Sequence, residues 1–320
     1  MPRYQWGFPV GTVELDAVLA APDDDAPRHA FSAWLQTIDS DQARATALFI
    51  DRSLELFRAW ERDPRSDALS AIPDDNIFWR SEGNWWRRTG PKIALYSGLG
   101  WAHEELSNNG MIEDVWYSRG FAEHCAVRAK TFLEIADELF AAAPIRYLTL
   151  TYCKGEHHDD LGIWRDLLAS PYLDRIRFLR IPVRIHEHDN RFTRLNELTD
   201  SDLAELAASP HVRGLRGLDL EDATKVRGDG FAALAQSKNL PELNAVICKV
   251  FDYAQYDTAF GPMGPIRRSY VGDKLSPIAA ALEQTYGRIP WLHAEETYGA
   301  DLLPEKIVAH SVRSSLTEKS

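Results

Sequence analysis

Apolar residues recur first at helical spacing and later at strand spacing. Leu15, Val18 and Leu19 fall at i, i+3 and i+4, which predicts a short first helix before Pro22-Asp23-Asp24-Asp25 interrupts it. Asp24 or Asp25 can cap a second helix, and Pro27 fits its first turn, where the N–H has no helical partner. Phe31, Trp34, Leu35 and Ile38 form the apolar stripe of this helix, and Phe49, Ser53, Leu56 and Trp60 share one face of a third. Three helices in about sixty residues make a bundle too small to be stable alone, so it is expected to dock on a later part of the chain.

From residue 119 onward a longer pattern takes over. Asp166 to Ile181 runs from a helix end through Ser170-Pro171 and spaced leucines to an apolar-x-apolar strand, and Glu205 to Leu220 repeats the line around Ser209-Pro210. Ala233 to Cys248 is a degenerate third copy, while Pro144 to Leu150, behind an amphipathic helix (Phe132, Ala136, Leu139, Phe140), and Cys125 to Val127 keep only the strand. The middle residues of the five predicted strands are Ala126, Thr149, Arg180, Asp219 and Ile247, at steps of 23, 31, 39 and 28 residues. A step near 28 is the length of a strand-plus-helix leucine-rich repeat, and the step of 39 requires an insertion, for which Pro182–Asn196 is the obvious place. Thr199 and Asp202 have the spacing of a capping box that reopens the next helix.

The fold expected is therefore α/β: a leucine-rich-repeat solenoid with parallel strands on the concave face and helices on the convex face, behind a small helical N-terminal module. Residues 1–60 are the helical module, 61–118 a Trp-rich junction, 119–252 the solenoid, 253–309 a C-terminal cap and 310–320 a tail. The cap is predicted to hold a helix over Leu275–Tyr286, ending near Gly287, and an apolar flap at Ile289-Pro-Trp-Leu292, because an exposed solenoid end is apolar. Six of the ten tryptophans lie between residues 60 and 116. They either fill an irregular junction or form an aromatic patch that anchors a partner.

Glu14 to Arg28, with its Pro22-Asp-Asp-Asp-Ala-Pro-Arg28 turn, then Ala33-Trp-Leu35 and Leu48-Phe-Ile-Asp-Arg52, resemble the bacterial repeat-companion domain. Arg119-Gly-Phe-Ala-Glu123, leading into the first strand, is similar to the same family. The chain departs from the family's pattern at Leu48, where an acidic residue is usual, and at Phe31-Ser-Ala33, where Tyr-Ala-Asp is usual. The resemblance implies a ribonuclease-inhibitor-like solenoid of leucine-rich repeats that acts as an interaction scaffold. It carries over no catalytic residue.

Composition narrows the function without naming it. With 48 acidic against 36 basic side chains the net charge is −12, which argues against a dedicated nucleic-acid or anionic-membrane surface. No apolar run reaches the roughly 18 residues of a membrane span, and the first residues lack a basic region followed by an apolar stretch. Cys125, Cys153 and Cys248, odd in number and without a C-x-x-C pair, read as reduced thiols of a cytoplasmic protein. Cys125 and Cys248 sit at inward strand positions, whereas Cys153 lies past a strand end and is open to exposure.

Two histidine clusters invite chemistry: Glu156-His157-His158-Asp159-Asp160 and His186-Glu187-His188-Asp189 each follow a strand. Consecutive solenoid strands lie about 4.8 Å apart, so both loops can fall on one edge and offer ligands to zinc or a similar metal. They can equally be solvated polar loops, since neither carries an H-E-x-x-H helix. No nucleophile elbow, phosphate loop or dinucleotide fingerprint is present.

The expected function is non-enzymatic, without cofactor or metal: a scaffold that binds a protein partner on its concave strand face. An immunity or inhibitor protein masking a basic client is a specific version of this, and the acidic charge suits it. The alternative is a metal-dependent hydrolase using loops 156–160 and 186–189. The partner-binding residues are those between and beside the apolar pairs: Tyr147, Thr149, Phe178, Arg180, Asp219 and Glu221, with Thr151, Ile247 and Lys249 flanking. No nucleic-acid or membrane partner is expected, and the oligomeric state is left open.

Overall fold

The computed structural model describes residues 12–62, 112–153, 161–182, 184–188, 191–195, 198–220, 225–226, 228–248, 270–271, 274–275 and 277–293. The Trp-rich stretch up to residue 111, the loop 156–160, Glu221, Lys249 and the tail lie outside them. The chain divides into two compact units between Tyr147 and Leu148.

The first unit opens with helices α1 (Val13–Ala20), α2 (Asp25–Thr37) and α3 (Asp41–Arg62). Thr12 caps α1, accepting from the Leu15 N–H, and Asp24 caps α2, accepting from Ala26. Leu15, Val18, Phe31, Leu35, Ile50 and Leu54 bury their side chains together, and Phe121 completes this core from outside the helices. Trp34 and Ile38 are only partly buried at its edge. Phe121 opens strand β2 (Phe121–Arg128), so the three helices dock on a strand nearly sixty residues further along the chain. Strand β1 (Ile112–Ser118) runs antiparallel to β2, and helix α4 (Ala129–Ala142) comes after it. Residues 112–118, assigned from sequence to the junction, are thus a strand, and the boundary expected at 118–119 is the turn between β1 and β2.

That turn has two residues, Arg119 and Gly120, between the paired Ser118 and Phe121. Both have positive φ, +50° and +81°. Paired left-handed residues match the right-handed twist of a two-residue hairpin. Gly120 is required twice over. A Cβ here would lie 2.5 Å from the Ile50 Cα on α3, and the backbone occupies a region that L side chains rarely adopt.

The second unit takes up the chain at Leu148, within β3 (Tyr147–Thr151), and continues through α5 (Leu161–Leu168), β4 (Phe178–Arg180), β5 (Arg184–His188), β6 (Arg191–Leu195), α6 (Asp200–Ala208), β7 (Gly217–Leu220), α7 (Gly228–Gln236) and β8 (Ala245–Cys248). Short strands β9 (Tyr270–Val271) and β10 (Lys274–Leu275) then precede helix α8 (Pro277–Tyr286). Within this unit β3, β4, β7 and β8 lie side by side in chain order, and β4–β7 and β7–β8 pair parallel, as expected. The predicted strand leucines Leu148, Leu179 and Leu218 are all buried. The expected insertion folds as a separate antiparallel hairpin, β5 paired with β6.

Three consecutive segments of this unit share one internal register. After α5, α6 and α7 come Ser170, Ser209 and Ser237, with apolar residues three, six and nine positions later: Leu173, Ile176 and Leu179, then Val212, Leu215 and Leu218, then Leu240, Leu243 and Val246. The same backbone bond recurs in each, Ile176 to Leu173, Leu215 to Val212 and Leu243 to Leu240 (3.0, 3.0 and 3.2 Å). Segments also bond neighbour to neighbour. Ser209 Oγ donates to the Leu168 carbonyl at 2.6 Å, and Ser237 Oγ donates to that of Ala207. The last carbonyls of a helix have no partner within it, so Ser209 satisfies the end of α5 and Ser237 that of α6. The Thr199–Asp202 capping box forms as predicted at the start of α6.

Helix α8 ends at Gly287, and the short 3₁₀ helix Pro290–His293 buries Trp291 beside Phe231, with ring centroids 6.2 Å apart. Among the described residues no helix is long and apolar enough to cross a membrane.

Candidate functional site

The candidate partner-binding residues separate once the strands are in place. In the second unit, β4 and β7 pair Phe178 with Gly217 and Arg180 with Asp219. Gly217 is needed for close approach: a Cβ there would overlap the Phe178 ring, which lies over the neighbouring strand and is half-buried. Two residues further along, the Arg180 Nε stands 3.3 Å from Asp219 Oδ2, with Arg180 45% exposed and Asp219 14% exposed. A pair this open contributes about 0–1 kcal/mol to stability, so a partner that disrupts it loses little. Arg180, Asp219 and Phe178 are therefore brought together on two adjacent strands.

The other candidates are placed differently. Thr149 is only 8% exposed and Thr151 is fully buried, so β3 offers little outward surface, contrary to the alternation expected. Tyr147 belongs to the first unit, where its half-buried ring lies 6.3 Å from that of His124. Strand β2 is buried at every position from Phe121 to Val127, including Ala126, which the alternation would place outward. Glu221 and Lys249 fall outside the described residues.

The second histidine cluster is not a loop. His186, Glu187 and His188 belong to strand β5, opposite Thr193, Phe192 and Arg191 of β6. His157 and His158 lie outside the described residues, and among those described no three His, Cys, Asp or Glu side chains are gathered to hold a metal ion. Cys125 is wholly buried, and burial pushes its thiol up to about 12. Cys153 is also buried, correcting the expected exposure, and its thiol donates weakly to the Leu150 carbonyl. Neither thiol is set up as a nucleophile.

Sequence reasoning missed a dense polar constellation among the described residues of the first unit, which joins Asp23, Asp25 and Arg28 to Arg119, Glu123 and Arg146. Arg28 on α2 is 0% exposed and its Nη2 stands 2.7 Å from Glu123 Oε1, itself 2% exposed. Arg119 donates to both oxygens of the same carboxylate, Nε to Oε1 and Nη2 to Oε2, each at 3.1 Å. The Pro22 carbonyl accepts from both guanidinium groups at 2.8 and 3.0 Å, the Asp23 carbonyl accepts from Arg119, and the Arg119 carbonyl accepts from Arg28. Arg146 pairs with the Asp23 carboxylate, and Asp25 stands 3.7 Å from Arg119. The Arg28 guanidinium also lies 5.0 Å from the Phe121 ring centre.

Three guanidinium groups and three carboxylates thus balance one another in a largely buried site. Burial brings Arg28 down to about 10, against the pull of Glu123. Burial also opposes the charge of Arg119, but Glu123, through charge and hydrogen bonds, outweighs it and the pKa is raised. The only sequence signal was the motif itself, because the partners are 91 to 123 residues apart in the contacts Arg28–Arg119 and Arg146–Asp23. Compared with protein-family models, curated proteins and solved structures, the chain matches none.

Proposed function

We propose that this chain is a non-enzymatic, cytoplasmic scaffold of leucine-rich repeats that binds a protein partner through the outward row of its parallel strands. The observation that carries the proposal is the shared register of the three segments in the second unit. Each serine, each apolar position and each strand recurs at the same offset, and each segment bonds to the next. Such nearest-neighbour construction supports the solenoid assignment and the resemblance to repeat-companion proteins. It also sets Arg180 beside Asp219, next to Phe178, on a rigid support. Aromatic and arginine side chains held in place lose little entropy on binding, which suits a hot spot.

A charge of −12 favours a basic client, as an immunity or inhibitor protein would have. The test is affinity for a partner isolated on the full chain. Arg180→Ala and Phe178→Ala are expected to weaken it by roughly 2 kcal/mol or more, with the thermal transition of the Arg180 variant unchanged. Normal binding by both variants, with loss on Trp85→Ala or Trp86→Ala, places the site in the Trp-rich stretch and overturns the proposal.

A further inference from the structure

The buried charge network of the first unit does more than fill space. It ties the turn between α1 and α2 to the β1–β2 turn, through carbonyls at Pro22, Asp23 and Arg119 and through the carboxylate of Glu123. We infer that Arg28, Arg119 and Glu123 form a latch that makes helices α1–α3 and strand β2 one cooperative body, so that the helices open only together with the strand they cover.

The physical case rests on what partial opening would leave behind. If the helices swung away with β2 intact, Arg28 would leave with α2. Glu123 would lose Arg28, Arg119 would lose the Pro22 and Asp23 carbonyls and the Asp25 carboxylate, and the helices would lose Phe121 from their core. Glu123 would keep only Arg119 of its two guanidinium partners, and stripping partners from buried charged groups costs more than the contacts themselves are worth. The left-handed turn raises the barrier again. Arg119 holds a positive φ of 50°, which a non-glycine residue keeps only when its surroundings over-determine it, and Glu123 and the two turn carbonyls supply that determination. An opening that frees the turn therefore frees β1–β2 pairing as well. Small cooperative units of this kind are what native-state hydrogen exchange resolves.

The experiment is hydrogen exchange on the full, unmodified chain in rising urea, together with the same measurement on Glu123→Gln. In the unmodified chain the slowest amides of α1, α2, α3 and β2 are expected to merge onto one opening equilibrium. Merging of the helices at lower urea, with β2 still protected, overturns the latch. In Glu123→Gln both sets are expected to exchange about 100-fold faster, by a common factor. Acceleration confined to the helices, or to neither set, also overturns it. If the variant does not fold, the urea series on the unmodified chain decides the matter by itself.

Discussion

Replacing Gly120 by alanine tests the docking of the N-terminal helices at a single atom. The added Cβ would stand 2.5 Å from the Ile50 Cα, 2.7 Å from its Cγ1 and 2.9 Å from its Cβ. Carbon atoms in favourable contact sit about 3.5–4.0 Å apart, so something must move by about an ångström. The nearest obstacle is the main chain of a 22-residue helix, which cannot turn aside as a side-chain tip can. Overpacking of this kind costs about 1–3 kcal/mol. Holding a non-glycine residue at a φ of +81° adds about 1–2 kcal/mol. The stiffer unfolded chain returns about 0.4–1 kcal/mol, leaving a net loss of about 1–5 kcal/mol. Urea unfolding monitored by tryptophan fluorescence measures this as a lower midpoint at unchanged slope. Gly228→Ala at the start of α7 is the control, since no atom of the described residues lies within 4 Å of its added Cβ, and it is expected to stay within about 1 kcal/mol of the parent. A loss below about 1 kcal/mol for Gly120→Ala would refute the close approach of α3 to the β1–β2 turn.

Ser209→Ala removes the donor to the Leu168 carbonyl and the acceptor for the His211 N–H, and is expected to lower stability by about 1–2 kcal/mol in the same urea assay. An unchanged midpoint would mean that the serine acts only as a helix stop. Cys125 is expected to resist thiol reagents in the native state at pH 8, which labelling and mass analysis of the intact protein check. Because its folded pKa is raised from 9.0 to about 12, the unfolded thiol ionises first and stability falls as pH rises above about 9. Cys125→Ala removes that contribution, which approaches about 1.4 kcal/mol per pH unit, and an identical pH slope in parent and variant would refute it.

The order of the sheet was legible because the second unit obeys local rules. Its strands carry leucines at fixed distances from a serine, and its α6 cap uses Thr199 and Asp202 at the spacing a capping box demands. Strand β1 was not legible. Its turn uses Arg119-Gly120 rather than Asn-Gly or Asp-Gly, so a left-handed arginine hides the hairpin signal. The arginine is tolerated there because Glu123 and the Asp23 carbonyl hold its side chain, and those partners were invisible along the sequence. The hairpin β5–β6 was hidden differently. His186, Glu187 and His188 look like loop residues by composition, yet in β5 they pair across from β6.

The candidate site was only partly legible, and the reason lies in how parallel sheets are covered. Alternation of inward and outward residues assumes one solvated face, as antiparallel sheets often have, whereas parallel sheets bury both. At β2 and β3 the second assumption holds: Ala126, Thr149 and Thr151 are buried although each occupies a position that alternation would place outward. At β4 and β7 the first holds, and Arg180 reaches solvent beside Asp219. The same contrast explains the arginines. Arg28 and Arg180 cannot be told apart by residue type. What separates them is the supply of acceptors that replaces water. Around Arg28 a carboxylate and two turn carbonyls converge from two distant stretches of chain and take the place of water at both terminal nitrogens, while the buried Nε has no acceptor among the described residues. Arg180 has the Asp219 carboxylate on the next strand and keeps nearly half of its side chain in water. A guanidinium that is still partly hydrated can exchange that water for a partner's acidic or aromatic groups without first breaking a buried network.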